Sequence, residues 1–126
     1  MPKISSDQLG SELAQFTGSE TWHRSINRSV TFTDGVAHFA EQAGAFWLVD
    51  ILAAELPKFV VAHDIIFVTM IVASHKATIT AVQDKGCPPL WTKRIDYTDC
   101  PEGEWKFYVA HGGSQGTVVI MLPSEY

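Results

Sequence analysis

The apolar positions near the start of the chain recur at helical intervals. Leu9, Leu13 and Phe16 are spaced i, i+4 and i+7, which places them on one face of a helix. Ser5 or Ser6 stands just before them, where a hydroxyl can accept a hydrogen bond from a free helix amide. The pattern therefore predicts a first amphipathic helix.

A longer helical pattern follows between residues 31 and 56. Thr33 or Asp34 can cap its start, and Pro57 stands where the pattern stops. Ala43-Gly44-Ala45 interrupts it, which indicates either a helix break or a close approach of another backbone. The continuing apolar period favours one long or slightly kinked central helix, on which the rest of the chain packs.

From residue 65 the pattern becomes typical of strands. Residues 65–73 form a nearly continuous apolar run, and Trp105, Phe107 and Val109 alternate with polar positions. Gly, Pro and Ser punctuate the connections, and short connections favour neighbouring antiparallel strands. The chain is therefore predicted to be an α+β domain, with N-terminal helices packed on a C-terminal antiparallel meander of about four to five strands.

Composition and charge narrow the classes of protein. The chain has 126 residues, 46% of them hydrophobic, and its net charge is −5; this predicts a single domain covering residues 1–126. Because the basic residues are scattered, no nucleic-acid partner is expected. No secretory signal and no membrane-spanning run is seen in the sequence, and the separation of Cys87 from Cys100 argues against a disulfide. The expected location is the cytoplasm.

Four stretches carry distinctive combinations of glycine, tryptophan and acidic residues. They are FTGSETWHR at 16–24, TDGV at 33–36 running into AGAFWLVD at 43–50, YTD at 97–99 and LPSEY at 122–126. Together they resemble a family of small proteins of unknown function found in bacteria, phages and plasmids. The resemblance implies a common fold and an association with mobile elements, without an established activity. The family often has tyrosine where this chain has His23 and Phe46, so any role of those hydroxyls is lost here.

Trp22-His23-Arg24 is the most suggestive polar cluster. A tryptophan beside an arginine can stack a planar ligand and bind its carboxylate or phosphate. In the alternative interpretation, Trp22 closes one end of the core and Arg24 pairs with an acid such as Glu20 or Asp34.

Asp50 lies in an apolar part of the predicted central helix, where a buried carboxylate needs donors or must stay neutral. In a cleft with Trp47 and Glu20 it would be a candidate general base. The alternative is a structural acid held by Arg24 or Arg28. The proposed ligand-binding set consists of Trp22, His23, Arg24, Trp47 and Asp50.

No catalytic residue, metal site or cofactor is predicted. His38 and Glu41 are spaced i, i+3, but such a half-site needs a second matching helix. Cys87 and Cys100 stand beside prolines and are interpreted as turn residues. The apolar ending of the chain at 122–126 predicts a tail that docks over the central helix or against a neighbouring subunit.

Two functions follow as hypotheses. The first is a non-enzymatic binding protein that acts as a homodimer, because aromatic residues are abundant and an exposed sheet edge can pair across a two-fold axis. The alternative is a small-ligand binder or minor enzyme with a pocket between the central helix and the sheet.

Overall fold

A computed structural model describes residues 5–16, 23–24, 30–63, 65–84, 86–111 and 118–125, with only the backbone described at residues 24 and 61–63. Its elements follow the chain as α1 (Ser6–Leu13), β1 (His23–Arg24), β2 (Val30–Phe32), α2 (Asp34–Ala43), α3 (Phe46–Glu55), α4 (Pro57–His63), β3 (Ile65–Ala73), β4 (Lys76–Val82), β5 (Pro89–Ile95), β6 (Gly103–His111), β7 (Val118–Met121) and a short 3-10 helix (Pro123–Glu125). The predicted α+β class is confirmed.

The first helix begins and packs as its sequence predicts. The Ser5 hydroxyl accepts a hydrogen bond from the Gln8 amide at 3.1 Å, which satisfies one of the free amides of the first turn. Leu9 is fully buried and Leu13 is half-buried against the core. The helix ends at Leu13, so Phe16, which was predicted on the same face, packs half-buried beyond the end of the helix. The helix therefore presents the predicted apolar face to the rest of the domain.

The predicted long central helix is wrong, because the chain breaks at Gly44. This residue has φ 64° and ψ 38°, a left-handed conformation that ends helices and is easily adopted only by glycine. The Ala45 amide then donates back to the Ala40 carbonyl at 2.8 Å. The change of direction produces two helices, α2 and α3, of 10 residues each.

The pattern also missed α4, which begins directly at Pro57. Proline is well tolerated at the first position of a helix, since that amide has no partner within the helix. Pro57, which was predicted only to stop the preceding helix, is therefore the first residue of the next one. Val60 of α4 is fully buried. No helix in the described part of the chain is long and apolar enough to cross a membrane.

The sheet has the strand order β1-β2-β7-β6-β3-β4-β5. The later strands pair antiparallel, as predicted, but they do not form a simple meander. The fourth of them, β6, returns beside the first, β3, which is the order of a Greek key. β7 then pairs parallel with β2, so the sheet is mixed. The apolar strand β6 lies in the interior of the sheet, whereas the charged β5 lies at an edge.

One face of the sheet packs against the helices. Alternate residues of β3, β4 and β6 are buried, as expected when one face of a sheet is covered. Phe39 of α2 lies over β6, with its ring centroid 5.1 Å from that of Phe107 and 5.5 Å from that of Trp105. Truncating a fully buried phenylalanine of this kind costs about 3–5 kcal/mol.

We expect Gly44→Ala to lower the free energy of unfolding by about 1–2 kcal/mol, because a side chain there must adopt the left-handed conformation. Gly10→Ala is the matched control. Gly10 lies inside α1, and apart from its own helix backbone and chain neighbours no atom lies within 4 Å of the place that an added Cβ would take. Alanine there should therefore be neutral or stabilise by up to about 1 kcal/mol. Urea unfolding followed by circular dichroism measures both, and equal effects of the two substitutions would contradict the assigned break.

Candidate functional site

His23 is the predicted site residue with the best-defined contacts. Its Nε2 atom lies 2.9 Å from Oδ1 of Asp34, and its ring stacks on Phe32 with centroids 5.3 Å apart. The two strands β1 and β2 position it, since His23 pairs with Phe32 in their antiparallel register. The contact ties β1 to the first turn of α2. The sequence interpretation had offered Glu20 or Asp34 as a partner of Arg24; the Arg24 side chain lies outside the described residues, so that pairing stays a prediction.

Two of the other predicted site residues, Trp47 and Asp50, lie on a different helix from the one that His23 contacts. Trp47 is in the first turn of α3, half-buried against the core. The 10-residue helix α2 and the break at Gly44 stand between Asp34 and this helix along the chain. Trp22, and the side chain of Arg24, lie outside the described residues, so the ligand-binding role of the predicted set stays a prediction.

Asp50 is exposed rather than buried in an apolar environment, which corrects the sequence interpretation. In α3 the buried residues are Leu48, Val49, Leu52 and Ala53. Asp50 follows Phe46 by four positions, and Phe46 is itself 49% exposed. Residues four apart share one helix face, so both project outward although their neighbours in the sequence are buried.

The start of α2 is bound by a carboxylate from the other end of the chain. Oε2 of Glu125 accepts from the Gly35 amide at 3.1 Å, and Oε1 accepts from the Thr33 hydroxyl at 2.5 Å and from the Leu122 amide at 3.1 Å. A helix N-terminus favours a negative charge and offers free amides. Leu122 is buried, so residues 122–125 dock over α2 as predicted, while Tyr126 lies outside the described residues.

Gly35 makes this approach possible. A Cβ atom added at that position would lie 2.5 Å from Cδ1 of Leu122 and 2.6 Å from Oε1 of Glu125, closer than non-bonded atoms can pack. The sequence signal for the contact was the TDGV motif together with the apolar LPSE ending, but nothing in the sequence paired the two. The Glu125 carboxylate is already bound by three donors within the protein, so we interpret this contact as one that stabilises the fold.

A second histidine–carboxylate contact joins α1 to α2. Nε2 of His38 lies 2.6 Å from Oε1 of Glu12, and the hydrogen bond from His38 holds the pKa of Glu12 below its usual range. Glu41, the residue considered with His38 as a metal half-site, is exposed. Among the described residues, no group of three or more histidines, cysteines and acids is placed to hold a metal ion.

The face of the sheet that points away from the helices forms a different kind of surface. The register brings outward side chains into rows across the strands: an apolar row of Val82, Phe67, Tyr108 and Met121, a threonine row of Thr92, Thr80, Thr69 and Lys106, and a charged row of Arg94, Thr78, Ile71 and Glu104. We call these three rows the outer face. Neighbours in one row are about 5 Å apart, close enough to pack laterally.

The apolar row is the distinctive part of the outer face. All four of its side chains are half-buried, and the rings of Phe67 and Tyr108 meet edge to face with centroids 4.9 Å apart. Ile71, in the charged row, is 53% exposed. A groove of about 320 Å³ lies between the apolar and threonine rows, beside Asp84 and Lys106. The arrangement can bind an apolar surface with a polar rim.

The cysteines are free thiols in different environments. Cys100 is buried, and burial raises its pKa to about 12, which keeps it protonated and unreactive at neutral pH. Cys87 is half-buried in the connection between β4 and β5.

We expect Glu125→Ala to lower the free energy of unfolding by about 2 kcal/mol, because it removes a charged acceptor from three donors, two of them at the start of α2. Glu125→Gln keeps one acceptor oxygen and should cost about half as much. Ser124→Ala is the control: Ser124 is exposed and its replacement should change stability by less than about 0.5 kcal/mol. Urea titration measures the free energy of unfolding of each variant. Equal losses in Glu125→Ala and Ser124→Ala would rule out the contact between Glu125 and the start of α2.

A thiol-specific reagent at pH 8 should modify Cys87 in the native protein and reach Cys100 only after unfolding, since the thiolate is the reactive form. Mass spectrometry of Cys87→Ser before and after denaturation checks this. Rapid native labelling of that variant would show that Cys100 is accessible and ionised.

Comparisons with known proteins place the chain in a family. No curated protein and no solved structure matches it. The sequence profile of a family of unknown function, DUF6876, matches residues 7–126, which is nearly the whole chain and includes the strands that carry the outer face. The resemblance predicted from the sequence is confirmed: the chain belongs to the DUF6876 family of unknown function.

Proposed function

We propose that this chain is a non-enzymatic binding protein that acts as a homodimer, with the outer face as its subunit interface. The observation that carries the proposal is the apolar row, which spans four strands on the face opposite the helices. Exposed apolar surface of this kind is typical of protein–protein contacts. The aromatic residues at its centre, Phe67 and Tyr108, belong to a class enriched in interface cores.

The outer face can form the centre of a contact with a second copy of the chain. Four strands about 4.8 Å apart and three rows about 7 Å apart cover roughly 400 Å². A stable interface of standard size buries about 800 Å² on each partner. Two copies stacked face to face would bury the apolar rows against each other and leave the charged residues at the rim.

The edge strand β5 is less suited to self-pairing than the sequence pattern suggested. It begins at Pro89 and carries Lys93 and Arg94, and proline and positive charges are features that protect sheet edges from pairing. An antiparallel two-fold contact would bring these charges close to their own copies, which is unfavourable. The outer face therefore explains a homodimer better than the edge does.

The alternative, a small ligand held between the central helix and the sheet, has less support. Phe39 fills that interface against Trp105 and Phe107, and Asp50, proposed as its general base, is exposed. The association with mobile elements that the family resemblance implies stays a prediction. It suits a small binding protein that acts on a partner instead of a substrate.

We expect light scattering and analytical ultracentrifugation to find a dimer at micromolar concentration. Ile71→Glu should weaken it about tenfold or more, because it replaces an exposed apolar side chain of the outer face with a carboxylate beside Glu104, its cross-strand neighbour. Thr69→Arg, at the centre of the outer face, should act in the same direction and provides a second variant. Circular dichroism must show that both remain folded.

Phe46→Glu is the matched control. Phe46 and Ile71 are exposed to nearly the same extent, 49% and 53%, but Phe46 lies on α3, away from the outer face. It should leave the dimer dissociation constant within about twofold of the unmodified protein. A monomeric mass for the unmodified protein, or equal weakening by Phe46→Glu and Ile71→Glu, would refute the proposed interface.

A further inference from the structure

The tip of the hairpin between β3 and β4 carries an unusual backbone. Ser74 and His75 both have positive φ, 53° and 63°, as a tight two-residue hairpin turn requires. Neither residue is a glycine, so the turn must be held by its surroundings. Residues 96–102, which we call the crossing segment, provide that support: they pass from β5 over the hairpin tip to β6.

Several contacts fix the crossing segment on the turn. The Thr98 amide donates to the His75 carbonyl at 2.8 Å, and the Ser74 amide donates to Oε2 of Glu102 at 2.7 Å. Thr98 itself is buried. The Ser6 hydroxyl, at the start of α1, donates to the Glu102 carbonyl. The tip is therefore tied to both the sheet and the first helix.

Two aromatic rings lie exposed on this fixed backbone. Tyr97 is 63% exposed, and its ring stacks on that of His75 with centroids 5.6 Å apart and planes at 17°. Its hydroxyl donates to Oδ1 of Asp99 at 2.8 Å. Ordering these side chains in advance lowers the entropic cost of binding. Nothing in the core requires an aromatic ring here, since Tyr97 remains largely in water.

The segment that follows β5 carries charge of one sign. Residues 96–104 contain Asp96, Asp99, Glu102 and Glu104 and no lysine or arginine, in a chain whose net charge is −5. Cations flank this segment: Lys76 follows His75 in the chain and shares a groove with Arg94 and Asp96, and Lys106 pairs with Glu104 at 3.3 Å. Asp99 and Glu102, nearest to the aromatic pair, make their described contacts with neutral donors.

We propose that the His75–Tyr97 pair, with Asp99 and Glu102 beside it, is a docking surface for an arginine-containing segment of a partner protein. In this contact a guanidinium group stacks on the Tyr97 ring and donates to the Asp99 carboxylate. A ring face attracts a cation, and arginine adds planar stacking and paired hydrogen bonds that lysine cannot make. The surface is distinct from the outer face, so it leaves the dimer interface free.

The test uses a fluorescein-labelled tetra-arginine peptide as the probe and a tetra-lysine peptide of equal charge for comparison, titrated by fluorescence anisotropy at low salt. Tetra-arginine should bind several-fold more tightly than tetra-lysine. Tyr97→Ala and Asp99→Asn should each weaken its binding about three- to fivefold, and the double variant about tenfold or more. Tyr97→Phe keeps the ring and should retain most of the affinity.

Phe46→Ala and Asp50→Asn are the controls, since they remove an exposed aromatic ring and an exposed carboxylate from α3. Both should leave tetra-arginine binding nearly unchanged. If they weaken it as much as the Tyr97 and Asp99 variants do, the peptide is responding only to net charge and the proposal is wrong. Equal affinity for the arginine and lysine peptides, or no binding at low salt, would also overturn it.

Discussion

The contact between Glu125 and the start of α2 is the constraint on which the arrangement of the domain depends. It joins segments about ninety positions apart, with three donors converging on one carboxylate. β7 leads directly into it and lies between β2 and β6 in the sheet. Because β2 pairs parallel with β7, the N-terminal elements join the sheet through the end of the chain. The two halves of the protein therefore stabilise each other.

The resulting two-layer architecture covers one face of the sheet with helices and leaves the other face exposed. One face of the sheet packs with the helices around Phe39, Phe107 and Trp105, and the carboxylate at the start of α2 is bound within the protein. The other face keeps an apolar row on four strands. In the described part of the chain, the distinctive surfaces are thus an apolar face and a rigid aromatic tip. The proposed contacts depend on these two surfaces.

The errors of the sequence interpretation have a common physical origin. Local patterns report the period of an element but not its direction, so the apolar period across Gly44 looked continuous although the backbone turns there. Asp50 looked buried because its neighbours are apolar, yet adjacent residues of a helix point about 100° apart. Similarly, short connections suggested a meander, but β6 pairs with β3 instead of with β5. In this order the apolar strand β6 lies under α2 and the charged strand β5 lies at an edge of the sheet.

The sequence by itself determined the α+β class, the capped first helix, the strand segments, the docked tail and the family. The helix, the strand segments and the apolar tail each depend on residues close together in the chain, where periodicity and capping act directly, and the family depends on several short motifs along it. Only the tertiary structure decided that His23 meets Asp34, that Glu125 binds the Gly35 amide at the start of α2, and that outward residues of separate strands form one row. These contacts join distant segments, and their energy exists only after the chain has closed over long loops, so no local pattern encodes which residues will meet.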